Sequence, residues 1–116
     1  MKSKSFLFSI KHAIHGLKEA FKERNFRIML LWLILFIIIC IFIKISLTDK
    51  LLIFLSIASI LSLEMTNSAI ERLSDFITKE HKEEIKQTKD LMAGSVLIIS
   101  VSGAIILFII LLKNLL

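Results

Sequence analysis

Apolar residues dominate three long stretches of the chain. The first is Ile28–Ile43, sixteen apolar residues in a row, which can be extended past Lys44 to about Leu47. The second runs from Leu51 to about Ile70, and the third, Leu91–Leu112, contains no charged residue. An α-helix needs roughly 20 residues to cross the hydrocarbon core of a bilayer. The pattern therefore predicts three transmembrane helices, over about residues 28–47, 51–70 and 91–112.

The first 26 residues show a different pattern. Apolar side chains recur there at helical spacing, and charged or histidine side chains lie mostly on the opposite side. The apolar positions are Phe6, Ile10, Ala13, Ile14, Leu17, Ala20 and Phe21. Because the segment adjoins a span, it favours an amphipathic helix lying in the membrane interface over residues 1–26, with packing on a soluble partner as the alternative. The predicted fold is an all-α integral membrane protein, a single domain over residues 1–116 with one surface helix and three spans.

Composition and charge agree with a membrane protein and orient it. The chain is 56% hydrophobic with a mean hydropathy of +0.83 and a net charge of +5. Seven Lys and Arg residues precede the first span and five lie in the 72–90 loop, but only three occupy the other two polar ends. By the positive-inside rule, the N-terminus and this loop are expected on the cytoplasmic side of the membrane. Few aromatic residues accompany the basic ones, so no nucleic-acid partner is expected, and Cys40 alone cannot form an internal disulfide.

A polar stripe begins where the second span approaches the cytoplasmic side. Glu64, Ser68, Glu71 and Asp75 share one helix face at i, i+4, i+7 and i+11, with Asn67 beside them. Charged groups at membrane depth are costly and usually functional. Glu64 is expected to act as a general base on a lipid alcohol, and Glu71 to hold a hard divalent cation. The alternative is that these groups only satisfy one another at a helix interface.

Glu23, near the end of the surface helix, is a further carboxylate at this level. A second carboxylate from another helix suits a metal-phosphate site, although Glu23 taken alone is typical of a solvated surface. The residues by themselves do not indicate ATP, since neither GxxxxGK[ST] nor GxGxxG occurs. Two other classes stay open: a small ion or drug transporter with Glu64 as carrier carboxylate, and a membrane scaffold. The off-centre stripe and the purely apolar first span favour an enzyme at the interface.

The stretch EMTNSAIERLSD, followed by KEHKEEIKQTKDLMAGSVLI, resembles the small prokaryotic diacylglycerol kinases and their undecaprenol kinase relatives. The shared pattern is E-x-x-N-[ST]-A-I-E-x-x-x-D, with eighteen residues from the second Glu, Glu71, to Lys89 of a Lys-Asp pair. ERNFR at residues 23–27 also matches, so the resemblance covers nearly the whole chain. It implies a homotrimer whose sites, at subunit boundaries near the cytoplasmic face, transfer the γ-phosphate of Mg-ATP to a lipid hydroxyl.

The resemblance also implies individual roles. Glu64 would be the general base, and Glu23 and Glu71 would hold magnesium bridging the ATP phosphates. The nucleotide site would include Asn67, Glu80, His81, Lys82, Lys89 and Asp90. ERNFR and KDLMAGSVL look more like the undecaprenol-phosphorylating members, which favours undecaprenol over diacylglycerol. Two departures stand out: the Gly16–Glu23 interval is one residue shorter than in relatives, and Ser5 occupies the position of a basic residue that some members use on the phosphates.

Overall fold

Four α-helices make up the described part of the chain. The computed structural model describes residues 2–80 and 82–116, with side chains from Ser5 onward. The helices are α1 (Lys2–Ala20), α2 (Arg24–Phe42), α3 (Leu47–Ile77) and α4 (Glu83–Leu115), and no strand occurs among these residues. By length and composition, α2, α3 and α4 can each cross a membrane. The predicted fold class, a surface helix followed by three spans, is confirmed.

The chain bends between α1 and α2, so the prediction of one helix over residues 1–26 is wrong at its end. Residues 21–23, here called the elbow, form a turn in which the Glu23 N–H donates to the carbonyl of Ala20 at 2.9 Å. This i to i+3 bond closes the last turn more tightly than an α-helical one. No glycine or proline marks the bend in the sequence. Glu23 therefore lies at the N-cap of α2, with extended backbone angles, and not within a helix.

The connection between α2 and α3 comes earlier than predicted. α2 ends at Phe42, residues 43–46 are not helical, and α3 begins at Leu47. Ser46 is the N-cap of α3, and its hydroxyl accepts a hydrogen bond from the Asp49 N–H at 3.1 Å. A serine followed three residues later by an acidic residue starts a helix well, because both satisfy or complement free N–H groups of the first turn. This local signal overrides the apolar character that extended the first predicted span to residue 47.

α3 and α4 both extend beyond the predicted spans at their shared end. α3 continues to Ile77, as expected for a helix that nothing interrupts, and is about 46 Å long. α4 begins at Glu83, eight residues before the predicted start of the third span at Leu91, so the second half of the 72–90 loop is largely helical. Carboxylates in its first turn suit the positive end of the helix dipole. Lys86 and Asp90, 2.8 Å apart, add an i, i+4 ion pair that stabilises the same segment.

α3 is the central helix and packs against both α2 and α4. Gly103 marks a close approach of α4 to α3, since a Cβ at this position would lie 3.3 Å from Ile60 Cδ1 and 3.6 Å from Ser56 Cβ. Small residues allow helices to approach in this way within a membrane. At Gly94, by contrast, no heavy atom lies within 4 Å of the Cβ position. Gly103 thus faces α3, whereas Gly94, nine residues earlier and half a turn out of phase, lies on the opposite side of α4 and is open in the single chain.

Ion pairs join α3 to α4 at both ends. At the turn end, defined as residues 43–50 and the C-terminal turn of α4, Lys113 Nζ lies 2.8 Å from Asp49 Oδ2 and 3.0 Å from Oδ1. At the loop end, defined as residues 72–90, Lys89 Nζ donates to Asp75 Oδ1 at 3.3 Å. The Asp49 side chain is buried, whereas Asp75 is open to solvent. Ion pairs therefore connect the two helices at both ends, one to a buried carboxylate and one to an exposed carboxylate.

Candidate functional site

Arg72 joins the loop end of α3 to the elbow. Its Nε and Nη2 donate to Glu23 Oε1 at 3.0 and 2.6 Å, and its Nη1 donates to Glu19 Oε2 at 2.9 Å. Glu19 is also 2.8 Å from Lys22 Nζ. The hydrogen bond from Lys22, and after it the one from Arg72, hold the pKa of Glu19 below its usual range. Glu19 is thus ionised at neutral pH and keeps α1 on α3 through its ion pair with Arg72.

A cavity of about 280 Å³, the elbow cavity, lies between α1 and α3 beside these ion pairs. Its lining residues are Gly16, Glu19, Ala20, Glu23, Phe26, Met65, Ser68, Ala69 and Arg72. Phe26 is buried and packs edge to face on Phe21 of the elbow, with ring centroids 5.5 Å apart. The cavity is therefore apolar along much of its wall and charged at one edge. Such a wall suits an amphipathic molecule whose polar head meets the membrane surface.

A second cavity of about 240 Å³, the loop cavity, lies between the end of α3 and the start of α4. Its lining residues are Asp75, Thr78, Lys79, Glu80, Lys82, Ile85, Lys86, Lys89 and Asp90. Four of the predicted nucleotide residues meet here, namely Glu80, Lys82, Lys89 and Asp90. His81, predicted for the same site, lies outside the described residues. The structure therefore brings together four of the six residues that the resemblance assigns to the nucleotide site.

The charges of the loop cavity suit a polyanion. Lys86 pairs with Asp90 and Lys89 with Asp75, while no ion pair involves Lys79 or Lys82 within residues 5–80 and 82–116. The cavity also lies at the N-terminus of α4, whose N-cap residue makes no side-chain cap. Free N–H groups and the positive end of a helix dipole favour phosphate. Lysines and a helix N-terminus thus face one space of a size that phosphate groups fit.

The N-terminal part of the polar stripe, from Glu64 to Glu71, does not line the loop cavity. Glu64 and Asn67 are partly buried and Glu71 is exposed, and none of the three lines either cavity. Ser68 lines the elbow cavity and Asp75 the loop cavity, so the stripe leads from one to the other. Eleven residues of helix separate Glu64 from Asp75, about 16 Å along the axis. In the single chain, the predicted base and the predicted nucleotide site are therefore separate.

The carboxylates near the elbow fit a cation that arrives with phosphate. In the described part of the chain, no group of three or more His, Cys, Asp or Glu side chains is placed to hold a metal ion. Magnesium, however, is usually held by one or two carboxylates together with substrate phosphates and water. Arg72 binds Oε1 of Glu23, no described residue donates to its Oε2, and Glu71 is exposed next to Arg72. Glu23 and Glu71 thus each have a carboxylate oxygen that can take part in binding a cation brought in with phosphate, and the described residues do not close a metal site by themselves.

Four charged residues that line the two cavities were not predicted as site residues from the sequence: Glu19, Arg72, Lys79 and Lys86. Arg72 is 49 positions from Glu23 and 53 from Glu19 along the chain, so no periodicity connects them. The available signal is that Arg72 directly follows Glu71 at the edge of the polar stripe. A cation next to a proposed metal ligand suggests a carboxylate partner elsewhere in the fold, and Glu19 of α1 and Glu23 of the elbow are the two partners.

Comparison with known proteins identifies the family of the chain. The family described as prokaryotic diacylglycerol kinase matches residues 11–111, which include every residue lining the two cavities. An undecaprenol kinase from Bacillus subtilis (strain 168) is 35% identical over 111 residues, which cover 95% of this chain and 90% of that protein. The resemblance inferred from the motifs is thereby confirmed. The chain belongs to the prokaryotic diacylglycerol kinase family and is a membrane-bound lipid kinase.

Proposed function

We propose that the chain transfers the γ-phosphate of Mg-ATP to undecaprenol. The observation that carries the proposal is the loop cavity, which lies at the uncapped N-terminus of α4 and is lined by four lysines and three carboxylates. Two of the lysines are paired with two of these carboxylates, and Lys79 and Lys82, which are in no ion pair among the described residues, are available to bind phosphate. This is the donor chemistry that a phosphate chain requires. The similarity to an undecaprenol kinase, across almost the full length of both chains, supports undecaprenol over diacylglycerol as the acceptor.

In this reaction the predicted residues have three roles: general base, metal ligand and nucleotide binding. Glu64 accepts the proton of the lipid hydroxyl as its oxygen bonds to the γ-phosphorus, while the bond from the γ-phosphorus to the β–γ bridging oxygen breaks and ADP leaves. Glu23 and Glu71 hold magnesium, which neutralises charge on the phosphates when it is bound. Asn67, Lys89 and Asp90 bind the nucleotide, together with Glu80, His81 and Lys82 of the loop.

Assembly and orientation complete the proposal. Glu64 lies about 16 Å along α3 from Asp75, so one chain does not bring the base to the loop cavity. A homotrimer with sites at subunit boundaries, as the family resemblance implies, would let one chain supply Glu64 and Asn67 and its neighbour the residues of the loop cavity. Because most basic residues lie before α2 or between residues 72 and 89, the elbow and loop cavities face the cytoplasm from the inner membrane.

The test is phosphate transfer from labelled ATP by the purified full chain in mixed micelles. Undecaprenol and diacylglycerol are offered separately, with and without magnesium, and ATP binding is measured in parallel. Magnesium-dependent transfer to undecaprenol is expected. Preference for diacylglycerol would contradict the acceptor assignment. Absence of magnesium-dependent ATP binding would contradict the proposed chemistry and favour the transporter, which needs no nucleotide, with Glu64 as its carrier carboxylate.

A further inference from the structure

Arg72 makes the ion pairs that connect the elbow to α3 in the described part of the chain. Its guanidinium bonds to Glu23 through two nitrogens and to Glu19 through a third, at 2.6 to 3.0 Å. A planar fork of donors can bridge two carboxylates in fixed directions, which the single ammonium of a lysine cannot do. The contact therefore sets both the position of the elbow and the orientation of one particular carboxylate.

Glu23 needs such a contact because it does not lie within a helix. It is the N-cap of α2, with φ of −85° and ψ of 125°, and its side chain makes no capping hydrogen bond. Helical phase therefore does not decide where its carboxylate points. Arg72 fixes the direction of the Glu23 carboxylate, because it holds Oε1 of Glu23 beside the turn of α3 that contains Glu71.

The geometry leaves the other oxygen of Glu23 available. Arg72 donates only to Oε1, and no described residue donates to Oε2. Carboxylates that bind metals are commonly hydrogen-bonded in turn by an outer residue that fixes their orientation. A cation can thus bind Oε2 while Oε1 stays on the guanidinium.

We propose that Arg72 is a positioning residue for the metal ligand Glu23, holding its carboxylate at the level of Glu71 with Oε2 directed to the cation. The inference rests on the proposed function, in which Glu23 holds magnesium. A competing role for Arg72, as a cation that must leave before magnesium binds, predicts the opposite sign for its removal.

The first measurement is Mn²⁺ affinity by EPR titration of the full chain in detergent with a non-hydrolysable ATP analogue. Arg72→Gln is expected to weaken Mn²⁺ binding about 10- to 100-fold. Arg72→Lys should be intermediate, since it keeps the charge and one hydrogen bond.

The matched control is Lys22→Gln, which removes the other cation on Glu19 without touching Glu23 or α3. Saturating metal should restore most of kcat in Arg72→Gln, which a merely unfolded protein would not show. Unchanged or tighter Mn²⁺ binding in Arg72→Gln would overturn the proposal.

A second measurement separates this inference from the proposed function. Hydrogen exchange of residues 17–27 in the ligand-free protein should accelerate in Arg72→Gln and stay unchanged in Lys22→Gln. Glu19→Gln, which removes one of the two carboxylates on Arg72, should show a smaller acceleration and serves if Arg72→Gln does not fold. If Glu23→Gln weakens Mn²⁺ binding but Arg72→Gln and Glu19→Gln change neither exchange nor affinity, the metal ligand stands and the inference fails. If Arg72→Gln loosens the elbow but Glu23→Gln leaves Mn²⁺ affinity unchanged, the metal role proposed for Glu23 fails, and the inference with it.

Discussion

The turn end and the loop end of the α3–α4 pair use the same kinds of side chain for different purposes. At the turn end, Asp49 is only 4% exposed, and both of its carboxylate oxygens face Lys113. At the loop end, Lys89 and its partner Asp75 are 40% and 62% exposed, and further lysines line the same cavity. One end holds its acidic group out of solvent, and the other leaves its charges accessible.

This difference separates stability from binding. A carboxylate taken out of water must keep its partner, because losing it leaves a charge without compensation. Exposed pairs contribute little to stability, because water competes with each partner. For that reason they can exchange one partner for a ligand at small cost. The turn end is therefore built to hold the helices together, and the loop end to bind an anion.

Glu64→Gln should have the largest effect on activity and almost none on stability. Glutamine keeps the shape but cannot accept the proton, and general-base catalysis contributes about 10²- to 10⁴-fold. Turnover with undecaprenol should fall by that factor, while the Tm in detergent and the assembly state remain unchanged. Glu84→Gln, an exposed carboxylate in the first turn of α4, is the matched control. Turnover close to that of the unmodified chain in Glu64→Gln would remove this residue from the role of base.

Glu71→Ala should weaken Mg-ATP binding by about tenfold or more, since a site with one or two protein carboxylates loses a large part of its ligand charge. The effect should be largest at limiting magnesium, where affinity for the ion decides how much nucleotide binds. Glu83→Ala removes a loop-end carboxylate of similar exposure and should leave affinity unchanged. Equal nucleotide affinity in Glu71→Ala and the unmodified chain at limiting magnesium would exclude Glu71 as a ligand.

A pair of lysine substitutions tests the comparison of the two ends directly. Lys89→Gln at the loop end should raise KM for ATP about tenfold, the effect of losing one charge-assisted hydrogen bond. Lys44→Gln at the turn end removes the same charge from the same protein and should leave KM unchanged. Steady-state kinetics at saturating lipid measure both. If the two variants raised KM equally, the lysines would act through net charge and not through the loop cavity.

Asp49→Asn should show the reverse behaviour. It leaves Lys113 without its carboxylate and removes a favourable charge from the first turn of α3, so Tm should fall by several degrees. KM for ATP should not change, because no residue of the loop cavity is touched. Thermal unfolding in detergent and kinetics below Tm provide the two readings. Asp75→Asn is the counterpart at the loop end, where a smaller fall in Tm is expected because the pair with Lys89 is solvated.

The sequence was sufficient to predict which segments are helices but not where they end. Hydropathy identified the three spans because a bilayer demands long apolar helices. It failed at residues 43–46, where capping by Ser46 decides the boundary, and at the start of α4, where an exposed charged segment is helical. Both errors arose because hydropathy reports the solvent around a helix, while local hydrogen bonds and charges decide where it starts.

The candidate site likewise has one part that the sequence predicts and one part that it does not. The i, i+4 spacing of the polar stripe was visible because all its members lie on one helix. The facing of Glu23 could not be read from its distance to Gly16, because the chain leaves helical geometry after Ala20. Its orientation depends on Arg72, 49 residues away, and such contacts leave no local pattern. The orientation of Glu23 is set by a tertiary contact, and for that reason only the structure could reveal it.

Acidification should loosen the contact between α1 and α3, with the smallest effect of those considered. The pKa of Glu19 is lowered from its ordinary value of 4.5, so the stabilisation from its ion pairs is fully present above that pH. It is lost as the pH falls through the lowered pKa. A nitroxide on Lys18→Cys, in a Cys40→Ala background, should report constant mobility from pH 7 to about 4.5 and higher mobility below. Adding Glu19→Gln removes the ion pairs of this residue, so mobility should already be raised at pH 7 and the rise in mobility below pH 4.5 should be smaller. A transition centred above pH 4.5 that disappears with Glu19→Gln would mean that Glu19 is not held by Lys22 and Arg72 in the folded protein.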